Sequence, residues 1–169
     1  AVAAMEGSGG AKIRSITRKK SGERIYSSDP AQFAHVDGFA AVNSLGPGLE
    51  LDLKKRAPRL GSEQGYGWMS GAPLKPIALR CVYELSGAVS KPIIGVGGIF
   101  TGEDAIEFIM AGASAVQICT AAILRGPAIY GAVARQMSEW MDANGVASIS
   151  DIRGCALPRP GTACVQDFK

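Results

Sequence analysis

Hydrophobic positions fall into two rhythms along this chain. AKIRSIT (11–17) alternates apolar with polar residues and carries β-branched side chains, so it reads as a strand. VDGFAAVN (36–43), PIIGVGG (92–98) and SAVQICT (114–120) are apolar runs of strand length. PIIGVGG has no polar position at all, which predicts a strand buried on both faces, as in a parallel sheet covered by helices.

Helical spacing fills most of the gaps. Asp29-Pro30 has the form of an N-cap followed by Pro at the first helical position, opening the short run AQFAHV (31–36). Pro76 opens IALRCVYELSGAV. Thr101 can cap GEDAIEFIMAGA, with Asp104 three residues on as an acidic variant of the capping box. Gly126-Pro127 starts AIYGAVARQMSEWMDANG, which Asn144-Gly145 stops, and SISDIRGC predicts one more short helix. RKKSGERIYSSDP reads as a loop. Residues 44–70 form a long polar, Gly-rich segment, and a loop of that length inside a compact domain is usually functional.

The resulting order, β-α-β-loop-α-β-α-β-α, is an α/β pattern with right-handed parallel crossovers. About four βα units make half of an eight-stranded TIM (β/α)8 barrel, which takes ~250 residues when complete. The 169 residues read as a single domain, 1–169, with a loose tail over 155–169. Half a barrel leaves unpaired edges and an exposed apolar interior, so a homo-oligomer or a partner half-barrel is expected.

Composition narrows the function. Hydrophobic residues make up 47% and charged residues 20%, the balance of a water-soluble globular protein. No apolar run reaches the ~18 residues of a membrane span. The start, AVAAMEGSGGAKIR, is not a signal peptide, so the expected location is cytoplasmic. A net charge of +3 is too weak to imply nucleic acid, and Arg18-Lys19-Lys20 reads as a solvated loop. The four cysteines include no CxxC pair and the chain has one histidine, His35, which argues against a metal site. Cys81 and Cys119 read as small buried hydrophobes, Cys155 and Cys164 as free thiols in the tail.

Two strand runs end in residues that leave the backbone accessible: Gly97-Gly98 and Cys119-Thr120. In βα barrels the site lies at the carboxyl ends of the strands, and phosphate is often held by the last two of these ends. Unobstructed N–H groups there predict a phosphate, and a side chain at Gly98 is expected to enter its path.

Around these positions VNSLGPGLELDL, SGAPLKPIAL, IIGVGGIFTGEDAIEFIMAGASAVQICTA and GPAIY…ISDIRG follow one another in an order that resembles the C-terminal motifs of the class 1 dihydroorotate dehydrogenases. The chain is similar as well to the FMN domain of dihydropyrimidine dehydrogenase. The resemblance covers about residues 36–154. It implies the C-terminal part of an FMN-binding TIM barrel and an oxidoreductase that converts dihydroorotate to orotate in pyrimidine biosynthesis. A dihydropyrimidine dehydrogenase-like domain, or a half-barrel that binds FMN or phosphate without turnover, is the alternative.

By position, the resemblance implies that Asn43 and Ser44 contact a dihydropyrimidine substrate. Val42 would lie against the flavin, and Ser70-Gly71 would approach it by their backbone. Gly97, Gly98, Cys119 and Thr120 would wrap the FMN phosphate, with the Thr120 hydroxyl as an added donor. Cys119 stands where dihydroorotate enzymes usually have Gly. The family's flavin-facing lysine falls near Lys12 or Arg14. The family's catalytic base lies upstream of the matched motifs, and none of the four cysteines here occupies its position. The electron acceptor is left open.

Overall fold

The computed structural model describes residues 37–158 and, before them, the backbone of three short strands. These are β1 (Val2–Ala3), β2 (Ser15–Arg18) and β3 (Arg24–Ser27), an antiparallel sheet in that order. The first predicted strand therefore does not continue the parallel sheet: Ser15 pairs with both Ala3 and Ser27 in antiparallel register. Only residues 19–23 separate β2 from β3, too few for a parallel crossover, which needs a dozen or more. The predicted helix at 31–36 lies outside the described residues, as do Lys12, Arg14, Lys19, Lys20, His35 and Cys164.

The other three runs form the predicted parallel sheet. β4 (Phe39–Ala41) and β9 (Ile93–Val96) pair in parallel, and β9 pairs in parallel with β10 (Ala115–Gln117), giving the order β10-β9-β4. One face is packed. Phe39, Ala41 and Ile93 are buried beneath α1 (Lys75–Ala88) and α2 (Gly102–Met110), with Ala78, Val82, Leu85, Phe108 and Ile109. Gly95 has a packing reason: a Cβ there would lie 2.5 Å from Cδ1 of the fully buried Phe108. The opposite face is open. Ile94 is 40% exposed, so PIIGVGG is buried on one face and not on two. In a barrel that second face would be the interior.

Residues 45–69 are not an irregular loop. β5 (Leu45–Leu49) pairs antiparallel with β8 (Tyr66–Met69), and β6 (Leu51–Asp52) with β7 (Ala57–Pro58). Leu45, Leu49, Leu51 and Leu53 already alternate at period two, a strand rhythm masked by Gly46, Pro47 and Gly48. This ribbon exposes apolar side chains, Leu53 at 85% and Trp68 at 55%.

The helices begin and end close to their predicted signals. Thr101 and Asp104 form the capping box of α2. α3 (Thr120–Arg125) was not expected and is taken up below. α4 (Ala128–Ala143) stops at Asn144, with Gly145 at φ 66, and α5 (Ile149–Ile152) is capped by Ser148. α4 crosses α2 closely at Gly102, where a Cβ would meet the Met137 backbone N at 2.6 Å. Residues just after α5 are fastened and not loose: the Ala156 N–H donates to the Met110 carbonyl at 3.1 Å, while 159–169 lie outside the described residues. Among the described residues no helix is long and apolar enough to cross a membrane.

Candidate functional site

The carboxyl ends of β4, β9 and β10 converge on a cavity of about 310 Å³ at the end of the open sheet face. Val42, Asn43 and Ser44 reach it from the end of β4, Gly97 and Gly98 from β9, Cys119 and Thr120 from beyond β10, and Ser70 and Gly71 from the end of β8. These nine residues singled out in the sequence thus line one cavity, while Lys12 and Arg14 lie outside the described residues. Trp68, Leu74, Phe100, Gln117 and Ile123 line it too and were missed, since nothing in their local sequence marks them.

Two positions differ from expectation in detail. Strand β10 ends at Gln117, so Cys119 and Thr120 are not strand residues: Cys119 is the N-cap of α3 and Thr120 its first residue. The apolar run of SAVQICT passes into the apolar helix TAAILR without a polar boundary, which hid the change. Cys119 is exposed, not a buried hydrophobe, whereas Cys81 is buried, and that burial pushes its thiol pKa up. Cys119 has φ −123 and ψ −69, outside the left-handed region, so no positive φ demands the usual glycine there.

The cavity is rich in unused main-chain donors. The N–H groups of Gly98, Ile99, Cys119 and Thr120 have no acceptor among the described residues. The next groups along the β9 turn are satisfied internally: Phe100 and Thr101 donate to Asp104 Oδ2 at 2.8 and 2.9 Å, and Gly102 donates to Gln136 Oε1 at 2.7 Å. Among the described residues no carboxylate, amine, guanidinium or imidazole lines the cavity. An anion entering it would meet neutral dipoles in a partly dry setting, where each N–H counts for more than in water.

Side-chain hydroxyls, the Asn43 and Gln117 amides and the Trp68 indole complete the polar set. The Thr120 hydroxyl donates to Ser70 Oγ at 3.1 Å, so its proton is committed and the Ser70 hydroxyl is the free donor of the pair. Asn43 Oδ1 accepts from the Ser44 N–H at 2.8 Å, which leaves the Asn43 NH2 as the group free to bind a ligand carbonyl. The peptide between Ala41 and Val42, at the mouth of β4, is cis.

Gly98 is required for a reason other than the one expected. At φ +76 it favours glycine, and a Cβ there would lie 2.6 Å from Lys75 Cβ and 2.7 Å from Lys75 N. A side chain would strike the start of α1, not the cavity. Gly97, at φ +125, likewise turns its absent Cβ toward Ala78 at 2.9 Å.

A family profile for dihydroorotate dehydrogenase matches residues 23–141. The chain belongs to the dihydroorotate dehydrogenase family. The chain is similar to the dihydroorotate dehydrogenase B (NAD(+)) catalytic subunit of Methanothermobacter thermautotrophicus, 41% identical over 126 residues, which are 75% of this chain and 41% of that protein. It is similar to the catalytic subunit of the same name from Pelobacter propionicus, 44% identical over 121 residues, 72% of this chain and 38% of that one. Among solved structures, the ligand-free dihydroorotate dehydrogenase of Eimeria tenella superposes with a TM-score of 0.60 at 30% identity, covering 76% of this chain and 35% of its own. The chain therefore spans about two-fifths of the length of the relatives it matches. Its three parallel strands with helices on one face are part of this family's α/β barrel.

Proposed function

We propose that this chain is the cofactor-phosphate-binding part of a dihydroorotate dehydrogenase, an FMN oxidoreductase that acts on the CH–CH bond of dihydroorotate and yields orotate in pyrimidine biosynthesis. The observation that carries the reading is the cavity itself: four N–H groups without acceptors among the described residues, contributed by two adjacent βα turns, at the carboxyl ends of a parallel sheet. The residues present fit the phosphate end of FMN. Gly98, Ile99, Cys119 and Thr120 would donate their backbone N–H groups to its oxygens, and Ser70 its hydroxyl. Val42 and Gly71 would pack beside the rest of the cofactor.

When bound, FMN supplies the hydride acceptor. The chain's own residues orient the substrate. The Asn43 NH2, held by the Oδ1 contact to Ser44, would donate to a ring carbonyl of the dihydropyrimidine, and Ser44 would line the same ring. Fixing the ring fixes which carbon faces the cofactor, so truncating Asn43 should lower turnover together with affinity. The base that takes the ring proton would come from polypeptide outside the matched two-fifths: among the described residues the Cys119 thiol is the cavity's only ionisable side chain, and it lies beside the phosphate donors. That same lack supports a second reading for the chain alone, a half-barrel that binds FMN without turnover. The open sheet face and the apolar β5–β8 ribbon support association with a second copy or with a partner completing the barrel.

The test is anaerobic bleaching of bound FMN. The purified chain should carry flavin absorbance yet bleach little with dihydroorotate, and bleach readily once the remaining barrel is supplied. Absence of flavin binding would remove the reading. Bleaching by dihydrouracil but not dihydroorotate would move the assignment to a dihydropyrimidine dehydrogenase-like domain.

A further inference from the structure

We propose that Asp104, anchored by Lys75, is a positioning residue that gives the turn after β9 its anion-binding shape; the inference rests on the phosphate reading above. The turn contains five successive N–H groups, at residues 98–102, and the fold divides them. Gly98 and Ile99 are left for the cavity, while Phe100 and Thr101 are both taken by a single oxygen of Asp104, Oδ2. A capping box needs only the second of these bonds. The extra bond to Phe100 fixes the peptide directly after Ile99, and so sets where the two unused donors lie.

The other oxygen ties this turn to α1. Asp104 Oδ1 accepts from Lys75 Nζ at 2.6 Å, and Glu107 Oε2 lies 2.9 Å from the same ammonium. Lys75 touches the turn at both of its ends. Its backbone N and Cβ occupy the space a Gly98 side chain would need, and its ammonium returns to Asp104 across 29 positions of sequence. Positive charge there has a second use. A bare carboxylate beneath an anion site would repel the ligand, and the ammonium offsets it. Among the described residues the charged group facing Asp104 is Lys75 from α1, whose ammonium also meets Glu107 of Asp104's own helix. Burial would raise the Asp104 carboxyl pKa, but the Lys75 ammonium, the Phe100 N–H and Thr101 together hold it below its ordinary value, so it stays ionised at neutral pH.

Asp104→Asn keeps the shape but leaves one acceptor oxygen for two jobs. If that oxygen faces the turn, the amide NH2 faces the Lys75 ammonium, donor against donor. The experiment measures affinity of the full chain for FMN and for riboflavin, which lacks the phosphate, by flavin fluorescence. Asp104→Asn should lose about tenfold in FMN affinity with riboflavin affinity unchanged, the scale of a lost charge-assisted hydrogen bond. Adding Lys75→Met removes the donor conflict and should restore most of the loss. A merely structural role would weaken both flavins equally, and that result, or an unchanged FMN-to-riboflavin ratio, overturns the proposal. Wild type binding both flavins equally would instead remove the phosphate reading itself. If Asp104→Asn fails to fold by far-ultraviolet circular dichroism, Lys75→Met alone carries the test: it should lower the ratio a few-fold, and an unchanged ratio refutes the anchoring role.

Discussion

Replacing Gly98 by alanine should be among the costliest small changes in the protein. Two separate terms add. An L-residue held at φ +76 pays about 1–2 kcal/mol of backbone strain. The new methyl would also sit 2.6 Å from Lys75 Cβ, 2.7 Å from Lys75 N and 2.9 Å from the Gly71 carbonyl oxygen. Two of these three neighbours are backbone and cannot rotate away, so the overpacking term is that of a tight core, about 1–3 kcal/mol. The sum is roughly 2–5 kcal/mol. Gly145→Ala isolates the first term: it sits just past the end of α4 at φ +66, with the Val146 N–H bonded back to the Met141 carbonyl, and no atom lies within 4 Å of the new methyl. Urea unfolding of both variants, followed by circular dichroism, gives the difference directly. Gly98→Ala should be the less stable by at least about 1 kcal/mol. Equal losses would refute the steric argument and return Gly98 to the simpler role of permitting a turn.

Phe108 is wholly buried and covers Gly95, so Phe108→Ala should cost about 3–5 kcal/mol in urea unfolding, and a loss under ~1 kcal/mol would mean that the sheet's packed face is wrongly described. The Lys75–Asp104 pair predicts a pH signature. Because the folded carboxyl titrates below its ordinary value, its contribution is complete above the unfolded pKa of about 3.9 and is lost as pH falls through the lower, folded value. Asp104→Asn should therefore be less stable than wild type at neutral pH, with the gap closing in acid; a gap independent of pH would show that the charge is not involved. Lys75 behaves in the opposite sense: hydrogen bonding to Asp104 raises its pKa, so its contribution holds below about 10.4 and is lost as pH rises through the higher folded value.

Much of the parallel core could be read from local chemistry. Continuous apolar runs marked β4, β9 and β10, and Thr101 with Asp104 announced α2 before any packing was known. The site residues were found because small residues at strand ends and the family motifs coincide. What escaped notice depends on partners distant in sequence. Gly95 and Gly98 look alike as letters, yet one makes room for Phe108 and the other for Lys75. Trp68 and Phe100 reach the cavity only through the way their segments fold back. Cys119 and Thr120 were placed on a strand because an apolar strand running into an apolar helix leaves no punctuation. The first strand was misplaced in the sheet because alternation shows that a segment is extended, not in which direction its neighbours run.

A cavity whose donors are peptide groups has an unusual genetics. Every residue but proline brings the same N–H, so no single side-chain change deletes a donor in the way that Arg→Ala would empty a basic site. Cys119 illustrates the tolerance: at φ −123 no left-handed turn reserves the position for glycine. Gly98 illustrates the opposite, since its path excludes every other residue type. Sequence drift can therefore recolour one half of this cavity freely, altering what surrounds a ligand while leaving its anchor intact. The other half is frozen. Diversification within such a scaffold should run through the β10–α3 side, with the β9 turn as its fixed point.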